Sequence, residues 1–285
     1  MKILCGKTIA EKFLQEISSE AAKMAEITNR MPKFAIIQVG KNPASEIYIK
    51  NKKKTAEKIG FGFELHEFDE NTNFNTIGNL ISELNLSKEI DGIIVQLPIP
   101  SHLKQILYLI APNKDIDGLG YIQQARLALN LPGLRPCTPF GVIKLLKAYE
   151  IDLNCRICVV GRSVLVGQSL ALMLLHENAT VTIAHSKTRN IGQVLQDSDI
   201  ICLAAGAPNF VTSEMVNPKS IVIDIAISKI QNPENPLEWR TTGDLHENTH
   251  QKIAAFSPVP GGIGPMTVAS LMYNTLEAHK LNHNI

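Results

Sequence analysis

Three side chains that can exchange protons or hydrogen bonds recur at helical spacing early in the chain. The segment 43–54 follows an apolar run and begins with Pro43, a favourable residue at the first position of a helix. In such a helix Ser45, Tyr48 and Lys52 stand at i, i+3 and i+7, so they share one face. A hydroxyl, a phenol and an amine then meet at the carboxyl end of a strand, where open α/β sheets bind ligands.

The same segment has a second interpretation. Lys50, Lys53 and Lys54 also lie in it, and a solvated, basic helix end would look the same. Spacing alone does not decide between a reactive face and a solvated one.

Composition indicates an ordinary globular protein with room for two domains. The chain has 285 residues, of which 45% are hydrophobic and 19% charged. Its 28 basic and 27 acidic residues give a net charge of +1, so no electrostatic argument favours nucleic acid or a membrane surface as a partner. The first residues lack the apolar core of a signal peptide, and no run reaches the ~18 apolar residues of a membrane span. A cytoplasmic location is therefore expected.

Cysteine and histidine placement gives no reason to expect a bound metal. Only Cys155 and Cys158 form a C-x-x-C pair, and Cys158 falls inside an apparent strand, where a buried small residue is expected. None of the eight histidines has metal-ligand spacing to another, and His102, His176 and His279 are expected on helix surfaces.

Apolar and helix-like segments alternate through the first half of the chain. Strands are expected at 34–39, 61–68 and 90–98, with helices at 8–30, 45–54 and 73–84. The third strand is apolar on both faces, as in a buried parallel sheet, except for Gln96 at its carboxyl end. This alternation predicts a doubly wound α/β fold.

A charged turn at residues 112–118 contains Asp115 and Asp117. Because one residue separates them, only one is expected to face the binding edge. An aspartate in such a turn is often a turn or cap residue. The alternative is a carboxylate that accepts paired hydrogen bonds from an amino-heterocycle.

A second alternating series indicates a nucleotide-binding domain. Strands are expected at 156–160, 181–184, 199–203 and 220–225. The first of these leads into Gly161–Gly167, which is not the G-x-G-x-x-G fingerprint but has a strand before it and a helix after it. The second strand ends in residues 185–188, without the carboxylate that binds a ribose 2′-hydroxyl. A hydroxyl and a cation there, with Arg162 nearby, favour NADP over NAD; a phosphate-free turn with surface charges is the alternative.

The end of the chain has two further recognisable segments. Residues 231–236 are rich in Pro and Asn and are expected to form an exposed loop, whereas 258–265 form a rigid glycine-rich loop before a last helix at about 266–281.

Together these segments resemble the bifunctional methylenetetrahydrofolate dehydrogenase/methenyltetrahydrofolate cyclohydrolase family. The matching segments, in the family's order, are Val39-Gly40…Ser45-x-x-Tyr48-x-x-x-Lys52, Asp91–Pro98, Lys114–Gly118, Pro136–Gly141, Gly161–Gly167, His185–Thr188 and Pro258–Thr267. The resemblance implies an α/β protein of two domains: an N-terminal αβα catalytic domain and a Rossmann-like NADP-binding domain, with a cleft between them. The expected folate-binding domain is 1–138, completed by the C-terminal helix 264–285, and the NADP-binding domain is 139–263.

The resemblance also implies two reactions and a role for each site residue. A hydride leaves 5,10-methylenetetrahydrofolate for NADP⁺, and the methenyl product is hydrolysed to 10-formyltetrahydrofolate. Lys52 is the implied general acid/base and Gln96 its hydrogen-bonding partner, and both are counted as catalytic with Tyr48 and Asp117. The implied substrate-binding residues are Ser45, Tyr48, Asp117, Pro260, Gly261 and Gly262. The implied cofactor-binding residues are Gly161, Arg162, Ser163, Ser186 and Ile227. A homodimer formed through the second domain is also implied.

Some positions depart from the family's usual pattern, and two other functions stay open. Gly120 stands where a histidine is common, and Ala226 replaces a glycine, which adds a methyl group beside the expected cofactor. One alternative is a lysine-using NADP dehydrogenase of the shikimate kind, against which Gln96-Leu97-Pro98 and the glycine-rich loop argue. The other is a non-catalytic folate- or nucleotide-binding protein, which would not need a lysine acid/base.

Overall fold

The computed structural model describes residues 1–231 and 238–285, which divide into two compact units. The three-stranded unit comprises Glu11–Cys137 and Val268–Ile285, and the six-stranded unit comprises Met1–Ala10 and Thr138–Thr267. No helix among the described residues is long and apolar enough to cross a membrane. The predicted loop at 231–236 lies, beyond Gln231, outside the described residues.

The secondary structure alternates as predicted. The strands are β1 (Lys2–Ile3), β2 (Lys33–Val39), β3 (Gly62–Phe68), β4 (Gly92–Val95), β5 (Arg156–Val160), β6 (Thr180–Ala184), β7 (Ile200–Leu203), β8 (Ile221–Asp224), β9 (Ser228–Gln231), β10 (Trp239–Thr242) and β11 (Ala255–Phe256). The helices are α1 (Gly6–Thr28), α2 (Pro43–Lys58), α3 (Phe74–Leu86), α4 (Tyr121–Ala128), α5 (Cys137–Ala148), α6 (Ser169–His176), α7 (Ile191–Gln196) and α8 (Ile263–His283).

The three-stranded unit contains a parallel sheet in the order β3-β2-β4. Strand β4 is buried along its whole length, as its apolar sequence predicted. It is shorter than the predicted strand at 90–98, because Gln96 and Leu97 lie beyond its paired residues. Parallel pairing brings the carboxyl ends of β2 and β4 to one edge, which is the edge where α2 and Gln96 follow.

The six-stranded unit contains a parallel sheet in the order β1-β11-β8-β7-β5-β6. Strand β5 has β6 on one side and β7 on the other, so the chain reverses its direction across the sheet at β5. Doubly wound sheets bind nucleotides at such a switch point. The Rossmann-like domain that was predicted is therefore present.

The units differ from the predicted domain boundaries at the N-terminus. Residues 1–10, which were expected in the first domain, cluster with the six-stranded unit because β1 pairs with β11. The Lys2 N–H donates to the Ala254 carbonyl, and the Leu4 N–H donates to the Phe256 carbonyl, both at 2.8 Å.

His279 is the one histidine whose expected position was wrong. It is fully buried in the three-stranded unit rather than on a helix surface, because α8 is buried on most of its sides. Its Nδ1 lies 3.0 Å from an oxygen of Asp91, and its Nε2 lies 3.0 Å from the Thr28 hydroxyl. Arg30 donates to both Asp91 oxygens at 2.6 and 2.7 Å.

These four residues form a buried ion-pair network around one carboxylate. Burial opposes the ionisation of Asp91, but the hydrogen bonds from Arg30 and the Lys33 N–H, together with the nearby His279, outweigh it and lower the pKa of Asp91 to about 2. His283 lies close enough to complete a set of three possible metal ligands with Asp91 and His279. Because Arg30 already binds both carboxylate oxygens, we interpret the group as a structural network rather than a metal centre.

Candidate active site

Helix α2 begins as its sequence predicted. The Asn42 side-chain oxygen accepts the Ser45 N–H at 3.2 Å, and Pro43 is the first helical residue. Ser45 is buried and Tyr48 is 37% exposed. The phenol therefore reaches solvent, as a side chain that stacks on a ligand must.

Lys52 is held by the side chain that follows β4. Its Nζ donates to Gln96 Oε1 at 3.0 Å, and Gln96 Nε2 donates to the Leu97 carbonyl at 2.9 Å. The Ser45 hydroxyl donates to the same carbonyl at 3.4 Å. The structure thus brings together three residues that the sequence separates by up to 51 positions (96 − 45).

Asp117 and Cys137 complete the surroundings of the lysine. Burial lowers the pKa of Lys52, whereas the nearby Asp117 and Cys137 act in the opposite direction. Burial also raises the pKa of Asp117, and Lys52 partly offsets that rise. Burial therefore increases the neutral fraction of the Lys52 amine, which suits a lysine that takes up and releases protons during a reaction.

The two aspartates of the 112–118 turn have separate positions. Asp115 accepts the backbone N–H groups of Gly118 and Gly120 at 3.1 and 2.7 Å, so it caps the turn. Burial raises the pKa of Asp115 to about 6. Asp117 lies beside Lys52, so of the two aspartates it is the one that adjoins the lysine.

Two buried residues at this site were not predicted to have a role. Cys137 was recognised only as part of a motif; its thiol donates to the Ile116 carbonyl at 3.2 Å, and its proximity to the Asp117 carboxyl partly offsets the rise in the pKa of Asp117. Asn274 lies on α8 and is 2% exposed. The signal that could have identified it is an amide in a stretch of helix without charged residues, 271–276, which is mostly hydrophobic.

The predicted cofactor residues gather at the switch point of the six-stranded sheet. Gly161 follows β5 with φ +137°, and a Cβ there would overlap the Ala204 carbonyl, so only glycine fits. Ser163 Oγ accepts the Val166 N–H at 3.2 Å and caps the helical turn that follows. Ser186 follows β6, the neighbour of β5, so it and Arg162 lie beyond adjacent strand ends.

The chemistry of these strand ends fits a nucleotide that carries a 2′-phosphate. Arg162, Ser186 and Lys187 are all exposed there, and the segment 185–188 contains no carboxylate to repel the phosphate. Ile227 follows β8 and is 46% exposed, which leaves its side chain available to a ring.

The predicted folate-binding loop belongs to the six-stranded unit. Gly261 accepts the Lys7 N–H at 3.0 Å, and the Gly262 N–H donates to Pro258 at 2.7 Å. Pro260, Gly261 and Gly262 therefore lie in a different unit from Ser45, Tyr48, Lys52, Gln96 and Asp117.

Family models match nearly the whole chain. The catalytic domain of tetrahydrofolate dehydrogenase/cyclohydrolase matches residues 4–117, and the NAD(P)-binding domain of the same enzyme matches residues 136–283. The chain belongs to the tetrahydrofolate dehydrogenase/cyclohydrolase family.

Full-length relatives agree with this assignment. The bifunctional protein FolD of Campylobacter hominis is 39% identical over 284 residues, which cover 98% of each chain. The crystal structure of the bifunctional FolD of Campylobacter jejuni is 38% identical, with a TM-score of 0.92 over 99% of both chains. The Trypanosoma brucei FolD, solved with NADP and an inhibitor, is 30% identical, with a TM-score of 0.93 over 99% of this chain and 98% of that one.

Membership in the tetrahydrofolate dehydrogenase/cyclohydrolase family decides between the functions that the sequence left open. A dehydrogenase of the shikimate kind and a non-catalytic binding protein are both excluded, because the family consists of folate enzymes and the match extends over both domains.

Proposed function

We propose that one cluster of side chains, Lys52, Gln96 and Asp117, serves both reactions of the family in this chain. The chain is a bifunctional enzyme: it oxidises 5,10-methylenetetrahydrofolate to the methenyl form with NADP and hydrolyses that product to 10-formyltetrahydrofolate. The observation that carries our assignment is the 3.0 Å hydrogen bond from Lys52 to Gln96, next to Asp117. We refer to these three residues as the Lys52 cluster.

For the oxidation, this chain mainly has to position two ligands. NADP⁺ supplies the hydride acceptor when bound; Gly161, Arg162, Ser163 and Ser186 would hold its phosphates, and Ile227 would contact the nicotinamide side. Tyr48 would stack on the aminobenzoyl group of the folate. Hydride transfer depends on the alignment of donor and acceptor carbons, so these contacts supply most of what the step requires.

The proposed folate contacts are residues of α2, of the 112–118 turn and of the glycine-rich loop. Asp117 would accept two N–H bonds from the amino edge of the pterin, and Ser45 would support it from α2. The loop residues Pro260, Gly261 and Gly262 would also contact the folate. A carboxylate suits the pterin because it accepts two parallel N–H bonds at once.

For the hydrolysis, Lys52 would handle the protons. Water adds to the bridge carbon of the methenyl cation, the bond from that carbon to N5 breaks, and N5 takes up one proton while a second is released. The neutral amine of Lys52 accepts a proton from the water and can return it to N5. Burial already lowers the pKa of Lys52, and the positive charge of the folate would lower it further, which increases the neutral fraction. Gln96 fixes the direction in which the amine points.

An assay of both steps tests this function. Formation of NADPH is followed by absorbance after methylenetetrahydrofolate is added, and loss of the methenyl compound is followed separately, each with NADP⁺ and with NAD⁺. We expect both steps to proceed and NADP⁺ to be preferred. Absence of NADPH formation with folded protein would contradict the proposal.

Replacing Asp117 by Asn should raise the KM for folate and lower kcat/KM, with NADP⁺ binding nearly unchanged. An amide offers one acceptor and one donor group where the pterin edge requires acceptors, so one bond becomes a donor–donor mismatch. Asp115→Asn is the matched control, since Asp115 caps the turn and does not adjoin Lys52, and its main effect should be a lower melting temperature. If Asp117→Asn lowers the melting temperature and leaves the folate kinetics normal, Asp117 is only a turn residue.

Replacing Arg162 by Ala should weaken NADP⁺ binding far more than NAD⁺ binding. Loss of one charge-assisted contact to the 2′-phosphate costs about 1.5–3 kcal/mol, roughly 10- to 150-fold in Kd. Titration of both nucleotides by fluorescence measures the effect. Arg156→Ala removes a guanidinium from the opposite end of β5 and should leave both affinities unchanged. Equal weakening of NADP⁺ and NAD⁺ by Arg162→Ala would remove the main support for the 2′-phosphate site.

We also propose that the enzyme is a cytoplasmic homodimer. The dimer rests on the family resemblance and on β6, which is an edge strand of the six-stranded sheet with Ile183 43% exposed. The five free cysteines fit a reducing compartment. Sedimentation equilibrium checks the dimer, and a monomer at micromolar concentration would contradict it.

A further inference from the structure

Asn274 joins two chain segments that are far from it in sequence. Its Nδ2 donates to the Ile116 carbonyl and to the Arg135 carbonyl, both at 2.8 Å. An amide nitrogen carries two N–H groups, so both are used. Ile116 is the residue before Asp117, and Arg135 lies two residues before Cys137.

The two segments that Asn274 joins, which contain Ile116 and Arg135, are closely packed against each other. Gly118 has φ +70°, and a Cβ there would stand 2.7 Å from the Arg135 carbonyl carbon and from the Pro136 nitrogen. The Ile116 carbonyl accepts from the Cys137 thiol as well as from Asn274, which occupies both of its lone pairs. The peptide that precedes Asp117 is therefore fixed from two sides.

We propose that Asn274 is a positioning residue for the folate reactions: it holds the peptide before Asp117 so that the Asp117 carboxyl stays beside Lys52. The inference rests on the function proposed above for Asp117 and Lys52. Asn274 acts through the Ile116 and Arg135 carbonyls, and its amide nitrogen also lies 3.5 Å from the Cys137 sulfur. A misplacement of reacting groups by about 1 Å can cost about 100-fold in rate, so a contact of this kind has a measurable effect.

The test is a double-mutant cycle between Asn274→Ala and Asp117→Asn, measured as kcat/KM for methylenetetrahydrofolate. Asn274→Ala alone should lower kcat/KM roughly 10- to 100-fold, mainly through a higher KM for folate, with the KM for NADP⁺ unchanged. If Asn274 acts through Asp117, the double variant should be little worse than Asp117→Asn alone. If Asn274 contributed to stability alone, the changes in kcat/KM caused by the two substitutions would be independent, and the change in the double variant would be their product.

Asn282→Ala is the matched control, because Asn282 is an asparagine of the same helix that donates to a backbone carbonyl, that of Asp91, at 3.2 Å. It should change the melting temperature and leave folate kinetics normal. If Asn274→Ala does not fold, Asn274→Ser keeps one hydroxyl donor and should show the same pattern with a smaller loss.

Two results would overturn the inference. One is a folded Asn274 variant with a normal KM for folate. The other is a double-mutant cycle in which the loss of kcat/KM in the double variant equals the product of the losses in the two single variants. In either case an assay of the wild type, and of a variant in which Met replaces Lys52, still reports on the proposed function, so failure of the positioning role is distinguishable from failure of the function itself.

Discussion

Replacing Lys52 by Met should lower the hydrolysis of methenyltetrahydrofolate by about 10²–10⁴-fold, the range for loss of a general acid/base. Methionine keeps nearly the length of the stem and removes the amine, so folate and NADP⁺ should still bind. Formation of NADPH should fall less, because hydride transfer depends on alignment, which Tyr48 and Gln96 maintain in part. The two reactions are measured separately on folded protein, with binding of both ligands verified.

Lys50→Met is the matched control for this prediction. Lys50 belongs to the same helix but is exposed and lies on another face, so the same substitution should leave both activities normal. Near-normal hydrolysis by Lys52→Met would exclude Lys52 from the mechanism. Equal loss of both activities with intact binding would mean that oxidation also depends on the amine.

Replacing Arg30 by Met should lower the free energy of unfolding by on the order of 3 kcal/mol, which is near the lower end of the range for a broken buried ion pair because Arg30 retains some contact with solvent. The substitution leaves the buried Asp91 carboxylate without its two strongest hydrogen bonds. Urea denaturation at pH 7 measures the change. Arg156→Met breaks the exposed pair with Asp199 and should have little effect on the unfolding free energy.

The pH dependence gives a second check on the Arg30 network. The pKa of Asp91 is about 2 in the folded protein against an ordinary value of 3.8, so the unfolded chain binds the proton first as pH falls. The stability that Asp91 contributes is complete above about pH 4 and is lost between about pH 4 and pH 2. The difference in the free energy of unfolding between wild type and Arg30→Met should therefore decrease as the pH falls from about 4 to about 2. A difference that stays constant down to pH 2 would mean that Arg30 acts through packing rather than through the Asp91 charge.

Sequence reasoning succeeded where short segments determine their own structure. The start of α2 depends on Asn42 and Pro43, and both act within one helical turn, so the face that carries Lys52 could be predicted. Strand β4 could be predicted because its apolar residues are contiguous. Gln96 was identified because it is the one polar residue at the end of that strand.

The failures concern contacts between residues that are distant in sequence. The Asn274 bond to Ile116 spans 158 residues, and neither local sequence contains a pattern that points to the other. His279 was placed on a surface because a histidine near a helix end is usually solvated, whereas here Asp91 and Thr28 supply buried partners. The position of residues 1–10 was missed for the same reason, since two residues of strand are too short to predict which sheet they join.

The pairing of β1 with β11 has a consequence for how the protein is made. Ala255, the partner of Lys2, is synthesised 253 residues after it (255 − 2), and synthesis proceeds at roughly 5–20 residues per second. Strand β1 can therefore pair with β11 only roughly 10–50 s after Lys2 has been synthesised. The packing of the three-stranded unit is also completed late, because Asn274 and His279 belong to α8. Folding during synthesis can form the inner strands first, whereas β1 and α8 are added only after β11 and α8 have been synthesised.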